Sequence, residues 1–180
     1  MSNLHCVVRV AMVALVVLPG CKTTRVVHDD AAKRKMLALI MPSRIEIVQP
    51  FTRVKSFDDD AVPDGIELLL QAINSLDNSG LMIAGDMRIE LFEHTPASGN
   101  PRGRRLEMWE IQIASRKQQE TYWNQVSQMY EFRLGVSRET LPAADKFVVR
   151  VTYNSPLGDH LSDECIIGRP KMGQSLGSGG

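Results

Sequence analysis

The segment Tyr130-Glu-Phe-Arg-Leu-Gly-Val136 places an apolar or small side chain at every second position. Successive side chains of an extended strand point to opposite faces, so this pattern buries one face and wets the other as a β-strand; wound into a helix, the same residues would scatter around the axis. Met87-Arg-Ile-Glu-Leu-Phe92 and Phe147-Val-Val-Arg-Val-Thr-Tyr153 repeat the period of two. A chain built from such segments has to pair them into sheets and cover the apolar faces with one another.

Further strands follow from the same reading. Ile45-Glu-Ile-Val48 and Phe51-Thr-Arg-Val54 form one strand interrupted by Pro50, which has no N–H to give to a ladder. Ile66 to Ile73 sets Ile66, Leu68, Leu70 and Ala72 on one face and Glu67 and Gln71 on the other. Leu106 to Ile113 puts Trp109, Ile111 and Ile113 together, and Leu161 to Ile167 returns beside the strand before it. Loops rich in turn residues separate them, and the strands at 66–73 and 87–92 are expected to be neighbours joined by one such loop. The polar stretch Ser115 to Gln128, which includes Tyr122 and Trp123, has room for a helical turn or two. About seven strands at fairly regular spacing predict an all-β fold, a single antiparallel β-sandwich of immunoglobulin, transthyretin or C2 type over residues 44–168. The Cys–Trp–Cys spacing of an antibody-like domain is missing.

The N-terminus has a different character. Arg9 precedes the apolar run Val10 to Leu18, and Pro19-Gly20-Cys21 follows. This is the cationic, apolar and small-residue order of a secretory signal, and the nine-residue run is short of the roughly twenty needed to span a bilayer as a helix. Leu18-Pro19-Gly20-Cys21 resembles the lipobox of bacterial lipoproteins. The resemblance implies cleavage before Cys21 and acylation there, leaving residues 1–20 as signal peptide and the protein exported to the cell envelope, attached to a membrane by lipid. Residues 21–43 then act as a lipidated tether. Within it Asp29-Asp30 can cap a short helix through Lys33, Arg34, Lys35 and Leu37 to Met41, stopped by Pro42. Residues 169–180, ending Gly-Ser-Gly-Gly, read as a flexible tail.

The full chain holds 21 basic and 21 acidic residues; losing Arg9 with the leader leaves 20 against 21, a net charge of −1. That balance argues against nucleic acid as partner, because such binding is driven by a basic surface. Cys6 leaves with the leader and Cys21 takes the lipid, so Cys165 remains alone and no internal disulfide is expected.

Few residues suggest chemistry. Arg102, Arg104 and Arg105, at the end of a Gly- and Pro-containing loop, form a candidate anion- or partner-binding loop, since the guanidinium fork matches carboxylate and phosphate. Asp58, Asp59, Asp60 and Asp64 offer oxygen ligands to a cation, but Val62 and Pro63 break the EF-hand pattern, and a solvated loop is the expectation. Gly173-Gln-Ser-Leu-Gly177 matches the nucleophile elbow G-x-S-x-G, but no helix and no histidine follow it. His28, His94 and His160 are far apart, with no metal-ligand spacing, and no cofactor is implied. The expected function is therefore that of a non-enzymatic envelope lipoprotein, an interaction or structural module with an envelope protein or cell-wall component as partner. The alternatives are a cell-surface carbohydrate-binding module, which a flat exposed pair at Tyr122 and Trp123 would favour, and an accessory lipoprotein of a secretion assembly. For the last, a lipidated sandwich of this size is similar in architecture alone to the small outer-membrane lipoprotein of type VI secretion systems.

Overall fold

The computed structural model describes residues 32, 33, 35–37 and 41–169, apart from 59, 61, 75–77, 98 and 138–140. Cys21, most of the expected tether and residues 170–180 lie outside the described residues. Those described at 32, 33 and 35–37 are helical, and the Met41 N–H donates to the carbonyl of Leu37 at 3.0 Å, where the capped helix before Pro42 is expected.

From Arg44 to Gly168 the chain is an antiparallel sandwich of two sheets. The first holds β1 (Arg44–Ile47), β2 (Arg53–Lys55), β3 (Gly65–Ile73), β6 (Trp123–Asn124) and β7 (Met129–Gly135), in the order β1-β3-β7-β6 with β2 also on β3. The second holds β4 (Gly85–His94), β5 (Arg102–Ile113), β8 (Lys146–Asn154) and β9 (His160–Gly168), in the order β5-β4-β8-β9. β1 and β2 are the two halves of the strand that Pro50 interrupts. Ile47 lies opposite Leu70 and Arg53 opposite Glu67, with the 3-10 turn Gln49–Phe51 bulging out between them. With those halves counted as one and the two-residue β6 set aside, the seven strands are those the alternation predicts.

One pairing differs from expectation. β3 and β4 are not neighbours: residues 74–84 carry the chain from the first sheet to the second, and β4 pairs with β5 and β8. Each of these strands buries an apolar inner face in the same core, from opposite sheets. The inward residues are fully buried: Ile66, Leu68 and Leu70 of β3 and Tyr130 and Phe132 of β7 face Met87, Ile89 and Leu91 of β4 and Phe147, Val149 and Val151 of β8.

Two hydrogen bonds stitch the sandwich along its long edges. On one, the N–H of Ile47 donates to a carboxylate oxygen of Asp163 on β9 at 2.6 Å. On the other, the indole N–H of Trp109 on β5 donates to the carbonyl of Gly135 on β7 at 3.2 Å. The short helix Arg116–Tyr122 also lies on that second side. Ser115 and Gln118 close a capping box at its start, and it ends where Trp123 turns extended.

The crossing segment is held from both sheets by buried tyrosines. The phenol oxygen of Tyr130 accepts the N–H of Ile83 at 2.8 Å and donates to Oε1 of Gln119 at 2.7 Å. Nε2 of Gln119 in turn donates to the Ile83 carbonyl at 2.5 Å, closing a ring of three hydrogen bonds. The hydroxyl of Tyr153 donates to the Ala84 carbonyl at 2.7 Å. One strap thus fixes the helix, the crossing and both sheets together.

Candidate functional site

The three arginines fall in a strand, not in a loop. β5 starts at Arg102, four residues before its expected start at Leu106, because Gly103 lets the strand run close beside Glu93; a Cβ there would meet the Glu93 carbonyl at 3.1 Å. Leu106 itself is the extra residue of a bulge, since Leu91 lies opposite Glu107 and Phe92 opposite Arg105. Each arginine faces a carboxylate: Arg102 and Glu164 at 3.3 Å, Arg104 and Glu93 at 3.0 Å, Arg105 and Glu90 at 3.1 Å. Each guanidinium is engaged by a carboxylate, and an incoming anion would have to displace a glutamate from each. Such half-exposed pairs contribute under about 1 kcal/mol apiece.

The acidic loop is also internally engaged. Asp64 accepts the N–H of Phe57 at 2.8 Å, Asp58 accepts the Ser56 hydroxyl at 2.8 Å, and Asp60 accepts the N–H of Val62 at 2.8 Å. Here the carboxylates close turns, as short acidic side chains do. Among the described residues no three histidine, cysteine or acidic side chains are grouped to hold a metal. Cys165 is buried, and burial, with Asp163 and Glu164 adding to it, pushes its thiol up to about 12. It therefore stays protonated and a poor nucleophile.

The most cohesive ion group is on the outer face of the first sheet, where Glu67 meets Arg53 and Lys55, both at 2.9 Å. Partial burial alone would raise the Glu67 carboxyl, but hydrogen bonds from Lys55 and Arg53 bring it below its ordinary value. The group ties β2 to β3 and is structural.

One concavity combines aromatic and polar walls. A groove of about 600 Å³ runs between the end of the helix and β7, lined by Thr121, Tyr122, Trp123, Asn124, Glu131 and Arg133. Asn124 donates to Glu131 at 2.7 Å, while Arg133 makes no ion pair among the described residues. Tyr122 and Trp123 are half-buried: the Tyr122 ring lies 5.1 Å from Phe132, and the Trp123 ring meets Tyr130 edge-on at 5.0 Å. Their rings therefore complete the core and do not form the flat exposed pair a sugar would stack on. Asn124, Glu131 and Arg133 are not visible as a set in the sequence, because only the turn between β6 and β7 brings them together.

No protein-family model matches the chain, and neither a curated protein nor a solved structure matches it.

Proposed function

We propose that the chain is an exported envelope lipoprotein, held at a membrane by lipid on Cys21, whose sandwich serves as a non-enzymatic interaction or structural module. The observation that carries this reading is Leu18-Pro19-Gly20-Cys21 at the end of a short apolar run. A lipid anchor of two or three chains holds a domain stably, at about 0.8 kcal/mol per buried CH₂. A modular role is supported by how the polar candidates are engaged. The arginines of β5 pair with Glu164, Glu93 and Glu90, and Asp58, Asp60 and Asp64 accept the backbone N–H groups of Asp60, Val62 and Phe57.

Cells expressing the chain and fed labelled palmitate are expected to incorporate label into the wild type and none into Cys21→Ser. Equal incorporation in the two would remove the lipoprotein reading.

A further inference from the structure

The tether and three loops meet at one end of the sandwich. Arg44, where the chain enters β1, lies opposite Ile73 at the exit of β3, and Ile73 bridges to Gly80. Gly80 in turn abuts the turn between β6 and β7, so closely that a Cβ would meet the Gln128 carbonyl at 2.6 Å. In the second sheet, β4 starts at this end: Asp86 pairs with Asn154, and Asn154 with His160, which places the turn between β8 and β9 there. The crossing strap, bonded at Ile83 to Tyr130 of one sheet and at Ala84 to Tyr153 of the other, aligns the two sheet ends.

Each of the three loops presents a large apolar side chain to solvent. Val126 is 96% exposed, Leu157 54% and Met82 51%. Two of the loops are turns closed by side-chain hydrogen bonds to their backbone. Asn124 accepts the N–H groups of Val126 and Ser127 at 2.9 and 3.2 Å, and Gln128 holds the positive φ of 55° that closes the turn. Ser155 accepts the N–H of Leu157 at 3.1 Å, and Gly158, at φ 93°, completes that turn. These apolar residues are held outward on built turns, at tips where polar side chains are the norm.

The described charged groups near this end are Arg44, Arg116 and Lys117 on the basic side, with Glu46 and Glu120 paired to the two arginines, and Asp86 and Asp159 on the acidic side. The opposite end carries Asp58, Asp60 and Asp64 in the loop after β2 and Asp145 before β8, together with Lys55, Arg102, Arg104, Lys146 and Arg169, so net charge does not tell the two ends apart. Phe57 and Val62 are exposed there too, at 37% and 43%, less than any of the three tips and at the end away from the tether. The tether enters at the apolar end, and its described helical residues, Lys33 and Met36 among them, are exposed.

We infer that the end of the sandwich bearing Met82, Val126 and Leu157 is a membrane-docking surface, resting in the interface of the bilayer that holds the lipid. This rests on the lipoprotein reading and adds an orientation to it. Residues 21–43 reach at most roughly 75 Å, and less with the helical residues at 32, 33 and 35–37, so the anchor alone leaves the domain free to tumble, and the three loop tips bring it down in one pose. The apolar tips dip into the acyl boundary while the opposite end of the sandwich faces away from the membrane.

The test uses the lipidated protein, purified from membranes and reconstituted in vesicles of phosphatidylethanolamine and phosphatidylglycerol. Val126→Cys and, separately, Val62→Cys carry an environment-sensitive fluorophore; both sites are exposed, and the buried native Cys165 does not compete for the label. The fluorophore at 126 is expected to shift to the blue and to be quenched by brominated acyl chains, while that at 62 stays as in water. Floated protein with both positions in water, or with 62 the more shielded, overturns the docking surface and leaves the anchor standing. Protein that does not float with the vesicles overturns both.

Discussion

Tyr130→Phe is expected to destabilise the protein by about 2–3 kcal/mol, because it deletes one oxygen and leaves one buried and one part-buried group unpaired. The N–H of Ile83 loses its acceptor and Oε1 of Gln119 loses its donor, so the three-bond ring that pins the helix and the crossing opens. For a domain of this size the melting temperature should fall by about 5–10 °C. Tyr153→Phe, which removes the bond to the Ala84 carbonyl, should cost less, about 1 kcal/mol. Thermal unfolding of both variants checks the order; equal shifts would mean that the ring around Tyr130 is not a unit. Titration points the same way. Burial raises the Tyr130 phenol above its ordinary value of 10.0, so the folded state keeps this proton after the unfolded chain has lost it. The stability linked to it is fully present below that ordinary value and is lost as pH rises through the folded-state value. The wild type should therefore lose stability more steeply above pH 10 than Tyr130→Phe does.

The second large effect is expected at Gly85, where the crossing enters β4. Its φ of +150° disfavours any L side chain, and an added Cβ would run into the backbone oxygen of Asn154 and approach the Tyr153 ring at 2.8 Å. Neither neighbour can move cheaply, since Asn154 ends β8 and Tyr153 is core. Gly85→Ala should cost about 2–4 kcal/mol through backbone strain and overpacking together. Gly135→Ala, where a Cβ would meet nothing within 4 Å, should change stability by no more than about 0.5 kcal/mol. Denaturant midpoints of the two variants test this. Similar values would show that the close approach of β8 to Gly85 is not a constraint.

Which of these features is legible in the sequence follows a physical divide. Alternation at 66–72 and 130–134, and at 147–153 apart from Val148, which is buried on the other face, specifies which side chains are buried, because successive strand residues point to opposite faces. Pro50 announces the break between β1 and β2 for an equally local reason, its missing N–H. Partnership is not local. Nothing in Ile66 to Ile73 or Met87 to Phe92 states that the two strands belong to opposite sheets, and the sequence order suggests that they share one. The arginines of β5 look like a binding loop until Glu90, Glu93 and Glu164 are seen beside them, the last of these about sixty residues away in sequence. Tyr130 reads as one more core aromatic, and its link to Gln119 and Ile83 exists only once the helix and the crossing meet. The docking end is of the same kind: Met82, Val126 and Leu157 are unremarkable in three separate turns, and the topology brings them together beside the tether.

The lipid on Cys21 is the claim on which location and orientation both depend, and the intact mass of the protein taken from membranes measures it directly. The expected species starts at Cys21 and carries the added mass of a diacylglycerol with or without an amide-linked acyl chain. A chain that retains residues 1–20, or one that starts elsewhere and has a free thiol at Cys21, would contradict it.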